Sequence, residues 1–226
     1  MFTPLAARRD ALIPRLVQIS LVLAIVSYST QLFVHASGHD TLFGLARVLN
    51  VDQEQSLSTW FQILLLALCA VSLWACGSQE SSVSRRRDWR VWAVILAGMS
   101  MEEQVGFHER ILVPLHLLGA YQAFRHYSWV VFGLPVAILA ALLVGRFVFE
   151  LPPEQRMRFI GAAVLYLVGA IGLEAAAGAW MVVGLPRDAA YAILPTMEEL
   201  LEMLGMIALL DAALRMIAAK RLASDR

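Results

Sequence analysis

The 226-residue chain is 59% hydrophobic and only 16% charged, with a mean hydropathy of +0.67, too apolar and too sparsely charged for a soluble domain of its length. Its 18 basic and 18 acidic residues cancel, so no basic excess points to nucleic acid. The composition instead predicts a single integral-membrane domain over residues 1–226, all-α and polytopic.

In chain order, the N-terminal stretch MFTPLAARRDALIPRL lacks the short apolar core and small-residue cleavage site of a signal peptide, so the first apolar run is expected to be retained. About six transmembrane helices are predicted, near 12–36, 57–77, 90–118, 128–149, 158–184 and 192–219, each reaching the roughly 20 apolar residues that a hydrocarbon core requires. Continuous apolar runs argue for helices rather than the short alternating segments of a barrel. Basic residues then set orientation. Arg8, Arg9 and Arg15, then Arg85, Arg86, Arg87 and Arg90, then Arg146, Arg156 and Arg158, and finally Lys220, Arg221 and Arg226 all fall on one side, whereas the alternate connections hold only Arg47, Arg125 and Arg187. The basic side is expected to be cytoplasmic and to carry both termini. Trp60, Trp129, Trp180, Tyr121, Tyr127 and Tyr191 lie near the outer boundary and Trp74, Trp89 and Trp92 near the inner one, the pattern of interfacial aromatic belts. The connection over 37–56 is long enough for a small amphipathic cap. Cys69 and Cys76, seven residues apart on one helix, are read as buried thiols that cannot pair with each other.

The acids are the anomaly. An ionised side chain at the membrane centre costs about 2.5–3.5 kcal/mol on insertion scales, yet Glu102, Glu103 and Glu109 lie in the third predicted span, Glu174 in the fifth, and Glu198, Glu199 and Glu202 in the sixth. Arg110 is the one fixed positive charge at that depth, so protonation or added cations must balance the rest. Glu109, Glu174 and Glu202 each sit about nine or ten residues from the outer end of a span, roughly 13–15 Å deep at 1.5 Å per residue. On a continuous third helix, Glu102, Glu109 and His116 would share one stripe, and Glu103 and Arg110 another, as a structural ion pair. Glu198, Glu199 and Glu202 cover one face of the sixth helix, and Ala170 and Gly178, small residues one turn either side of Glu174, permit close helix approach. Thr196 with Glu199 also matches a capping box, which would start a helix there.

His35, His39, His108, His116 and His126 all map to the same outer half. Imidazole with carboxylate is a ligand set for iron, manganese or zinc. The expected site is therefore a divalent metal held by Glu102, His108, Glu109, Glu174, Glu198 and Glu202, which would suit a metal-dependent membrane enzyme. No Glu-x-x-His spacing occurs, so the ferritin-like di-iron pattern does not apply. The alternative is a proton- or cation-coupled transporter or channel using the same glutamates. Against a path right across, the inner half offers only Asp211, four residues from Arg215 and read as its ion-pair partner.

The pairs Glu102-Glu103 and Glu198-Glu199 resemble the first motif of the CAAX-type membrane proteases, which would imply an intramembrane glutamate-dependent hydrolase. That motif carries an arginine four residues after the second Glu; here Phe107 and Met203 occupy those positions, and later histidine motifs are absent. Lys220 lies at the cytoplasmic end, too far out for a retinal Schiff base, and His108 has no axial partner in later spans, so neither retinal nor haem is expected. The expected partners are membrane lipid and a metal or other cation, in a cell membrane, most simply a bacterial inner membrane.

Overall fold

A computed structural model describes residues 6–38, 42–53, 55–106 and 128–224, with side chains described at all of these except 42, 128–132 and 221–224. The described residues are all-helical, without strands. Helix α1 (Arg9–Ser37) ends where Gly38, at φ +66°, closes the last turn onto the Val34 carbonyl. A 3-10 turn (Leu42–Gly44) and the short helix α2 (Leu45–Leu49) form a small cap, tied down where the Val51 N–H donates to the Ser27 hydroxyl at 2.9 Å. Helix α3 (Leu57–Ser78) starts at Ser56, whose Oγ accepts from the Thr59 N–H at 3.2 Å. It is followed by α4 (Val83–Val105), α5 (Ser128–Phe149), α6 (Pro153–Val182) and α7 (Ile193–Ser224).

Helix α7 is the hub. It packs against α1, α3 and α6, while α3 and α4 form the most extensive hairpin and α5 lies against α4 and α6. The core fills the end of the bundle that carries the basic clusters. Trp89 is fully buried and meets Phe147 edge-on at 4.6 Å, with Trp92 and Phe159 alongside and Leu65, Leu73, Leu210 and Leu214 filling in behind. Apolar side chains are also exposed along the outside, among them Val22 and Ile25 on α1 and Leu139, Leu142 and Leu143 on α5. Three helices, α1, α3 and α6, are long and apolar enough to cross a membrane. Helices α4 and α7 carry too many charges to meet the same standard, and the apolar part of α5, Gly133–Phe149, is shorter.

Several expectations change. The third helix does not run continuously over 90–118. It stops at Val105 because Gly106 takes φ +61° and donates its N–H to the Glu102 carbonyl at 2.7 Å, a left-handed cap that glycine adopts without strain. The shared stripe of Glu102, Glu109 and His116 presupposed helical phase across that point; Glu109 and His116 lie outside the described residues. Trp89 and Trp92 are buried in the core and not interfacial anchors, whereas Trp74 is half exposed with Arg90 over its ring at 4.9 Å. Pro195 falls in the first turn of α7, where its missing N–H has no intrahelical acceptor to lose. Thr196 makes no capping box: its hydroxyl donates back to the Ala192 carbonyl at 2.7 Å.

Candidate functional site: an acid cluster between three helices

The seam between α3 and α7 repeats every seven residues. Cys69 and Cys76 donate their thiols to the carbonyls of Met206 and Ala213 at 3.1 and 3.5 Å, and both cysteines are buried and free, as expected. One heptad further out, the same seam presents Gln62, whose Nε2 donates to Glu202 Oε2 at 3.3 Å. Gln62 is fully buried, and its Oε1 has no hydrogen-bond partner among the described residues.

The other wall comes from α6, which widens into a π-helical turn over Val168–Leu173, immediately before Glu174. Such turns insert one residue and rotate the rest of the helix relative to the part before them. The two helices meet backbone to backbone here. A Cβ on Gly169 would lie 2.8 Å from the Glu198 carbonyl oxygen, and one on Gly205 would lie 2.7 Å from the Tyr166 nitrogen. This close approach brings the Tyr166 side chain up to the Glu202 carboxylate. From α4, Glu103 faces Glu199 and Glu202 closely enough for the three carboxylates to act on one another. Glu198 links this group outward: it acts on Glu202 and Glu199, on Glu174 and, more weakly, on Asp52 of the cap. The result is two adjoining groups: Glu103, Glu199 and Glu202 with Tyr166 and Gln62, and, further out, Glu174 and Glu198.

Of the six residues expected to ligate a metal, Glu174, Glu198 and Glu202 are therefore brought to one region. Glu102 lies one position, about 100°, round α4 from Glu103, and it is Glu103 that acts on Glu199 and Glu202. His108 and Glu109 lie outside the described residues, as do Arg110, His116 and His126. Among the described residues, no three His, Cys, Asp or Glu side chains form a ready metal-ligand group. Sequence reasoning left Gln62 without a role and did not single out Tyr166. The signal for Gln62 was an amide in an otherwise apolar helix, in heptad phase with two cysteines.

The opposite end of the bundle treats its acids differently. Asp211 is held by Arg9, by Arg215 at 2.8 Å as expected, and by Arg158 at 4.0 Å. Glu80 pairs with Lys220 and accepts from Trp89 Nε1 at 3.1 Å. Burial alone would raise the Glu80 carboxyl, but these hydrogen bonds and the charges of Lys220 and Arg85 outweigh it and hold it below its ordinary value. Carboxylates at the basic end thus meet arginine or lysine, whereas Glu198, Glu199 and Glu202 meet other carboxylates.

The sequence from residue 16 to 217 matches one family model, described as Domain of unknown function (DUF8692). The chain belongs to that family. The match takes in all of α3, α4, α5 and α6 and both groups of acids. No curated protein and no solved structure matches the chain.

Proposed function

We propose that this family member is a six-span membrane protein with both termini in the cytoplasm of a bacterial inner membrane, and that its acid cluster is a cation site in the outer half of the bilayer. The observation that carries the reading is the buried amide of Gln62. Its nitrogen is spent on Glu202, and its oxygen is without a partner beside that carboxylate among the described residues. A buried acceptor without a donor costs about 1–3 kcal/mol; a cation between Gln62, Glu202 and Glu103 would relieve both that cost and the repulsion among the acids. Glu174 and Glu198 extend the site outward, and His108, Glu109 and Glu102 would complete a shell for iron, manganese or zinc. A metal there would bind or activate water, oxygen or a substrate oxygen.

A second reading, a proton-coupled or cation-coupled transporter, is favoured by one specific feature: Glu202 accepts from the Gln62 amide and lies among other carboxylates, a setting in which it can hold a proton with no metal present. Metal analysis of the purified protein by plasma mass spectrometry, beside a variant with Glu109, Glu174 and Glu202 changed to glutamine, separates the two. Stoichiometric metal that disappears in the variant establishes the metal site. Metal-free protein after supplemented growth, with Glu202→Gln abolishing a pH-gradient-driven flux in liposomes, replaces it with the proton site.

A further inference from the structure

At the outer end, between α1 and the cap, lies a cavity of about 340 Å³, within the range of small-ligand sites. Its polar lining is Thr30, Gln31, His35, Arg47, Asn50 and Gln53, with no carboxylate among them. The His35 ring lies between two carbonyl oxygens, that of Gln31 at 2.8 Å from Nδ1 and that of Arg187 at 3.0 Å from Nε2. Both ring nitrogens can act as donors only in the protonated imidazole, so the two carbonyls favour the positively charged form of His35 over the neutral one. Arg47 supplies a positive charge on α2, and among the described residues no carboxylate pairs with it. Asn50 Oδ1 is taken by the Asp52 N–H at 3.1 Å, which leaves the amide nitrogen as the group Asn50 can offer a ligand. Asp52 itself interacts with Arg187. Among the described lining residues, an arginine, a histidine set between two carbonyls, and amide donors without a carboxylate make a recess complementary to an oxyanion, with Asp188 acting on His35 from outside the lining.

We propose that this cavity binds a phosphate-type anion at the outer surface, separate from the acid cluster. Phosphate oxygens would take the Arg47 guanidinium and the Asn50 and Gln53 amides as donors. Free phosphate and the phosphodiester of an anionic lipid headgroup share that chemistry. The test uses the full chain. Inorganic phosphate is titrated onto detergent-purified protein by calorimetry, and the same protein in nanodiscs of phosphatidylcholine with and without phosphatidylglycerol is assayed for retained lipid by native mass spectrometry. Arg47→Gln removes one charge-assisted contact and should weaken whichever probe binds roughly tenfold or more. Gln53→Glu, which adds a carboxylate at the rim and removes no described side-chain contact, should weaken it as well, while Arg85→Gln at the opposite end should not. Phosphate binding without lipid retention identifies a free anion, and retained phosphatidylglycerol without phosphate binding identifies a headgroup. The proposal falls if neither probe binds, or if both cavity variants bind as the unaltered protein does.

Discussion

Two glycines set how near the acids of α7 come to α6. At Gly205 an added Cβ would meet the Tyr166 nitrogen and Cα at 2.7 and 2.9 Å, and at Gly169 it would meet the Glu198 carbonyl oxygen. These are backbone atoms, which cannot rotate aside, so Gly169→Ala and Gly205→Ala should each force the helices apart at a cost of about 1–3 kcal/mol. Gly98→Ala and Gly161→Ala place their Cβ in open space and should be neutral or stabilising by about 0.5–1 kcal/mol. Denaturant unfolding in detergent checks the contrast; equal effects at all four positions would show that the α6–α7 approach is not so tight. Glu80 has a different dependence. Its carboxyl lies below its ordinary value of 4.5 in the folded protein because Lys220 and Trp89 hold the charged form. Its contribution is therefore fully present above the unfolded value and is lost as pH falls through the lowered one. Unfolding measured from neutral to acid pH should show that loss, and Glu80→Gln should flatten it. Both glycines could be seen in the sequence as small residues, but small residues are common in apolar helices. What distinguishes these two is the backbone across from them.

At the level of elements, the α3–α7 seam explains why one glutamine and two cysteines belong together. Positions 62, 69 and 76 share one helical stripe, and that stripe meets Glu202, Met206 and Ala213. Both thiols are completely buried against α7. They should resist a maleimide in folded, detergent-solubilised protein and react only in denaturant; labelling under native conditions would mean that α3 and α7 separate readily. Helix α4 shows how an element boundary escaped the sequence. The apolar segment ILVPLHLL resumes five residues past Gly106, so the sequence reads as one continuing span, and a positive φ is a backbone event without a hydrophobic signature. The π turn of α6 escaped for a similar reason. It changes the phase of Glu174 relative to Tyr166 while leaving composition untouched.

For the whole molecule, charge is segregated along the bundle. Arginines and Lys220 neutralise Asp211 and Glu80 at one end, and Glu103, Glu174, Glu198, Glu199 and Glu202 gather toward the other. In the six-span arrangement, the cap around Asp52 lies outside and the α3–α4 connection inside. On a background without Cys69 and Cys76, Asp52→Cys should react with a membrane-impermeant maleimide added to intact cells, and Gln79→Cys only after permeabilisation. The opposite pattern would invert the topology, and reaction of both without permeabilisation would remove it.

Composition alone determined that the chain is helical and apolar enough for a membrane, because hydropathy is additive over residues and needs no knowledge of neighbours. Spacing along the chain also paired Asp211 with Arg215, since residues four apart on a helix meet whatever surrounds them. The tertiary structure alone decided that Trp89 and Trp92 are core and not belt, that Glu103 is the α4 acid facing Glu202, and that Gln62 and Tyr166 join it. Those outcomes depend on which helix faces which and on how closely two glycines let them approach, and such relations between distant segments leave no periodic trace in any one of them.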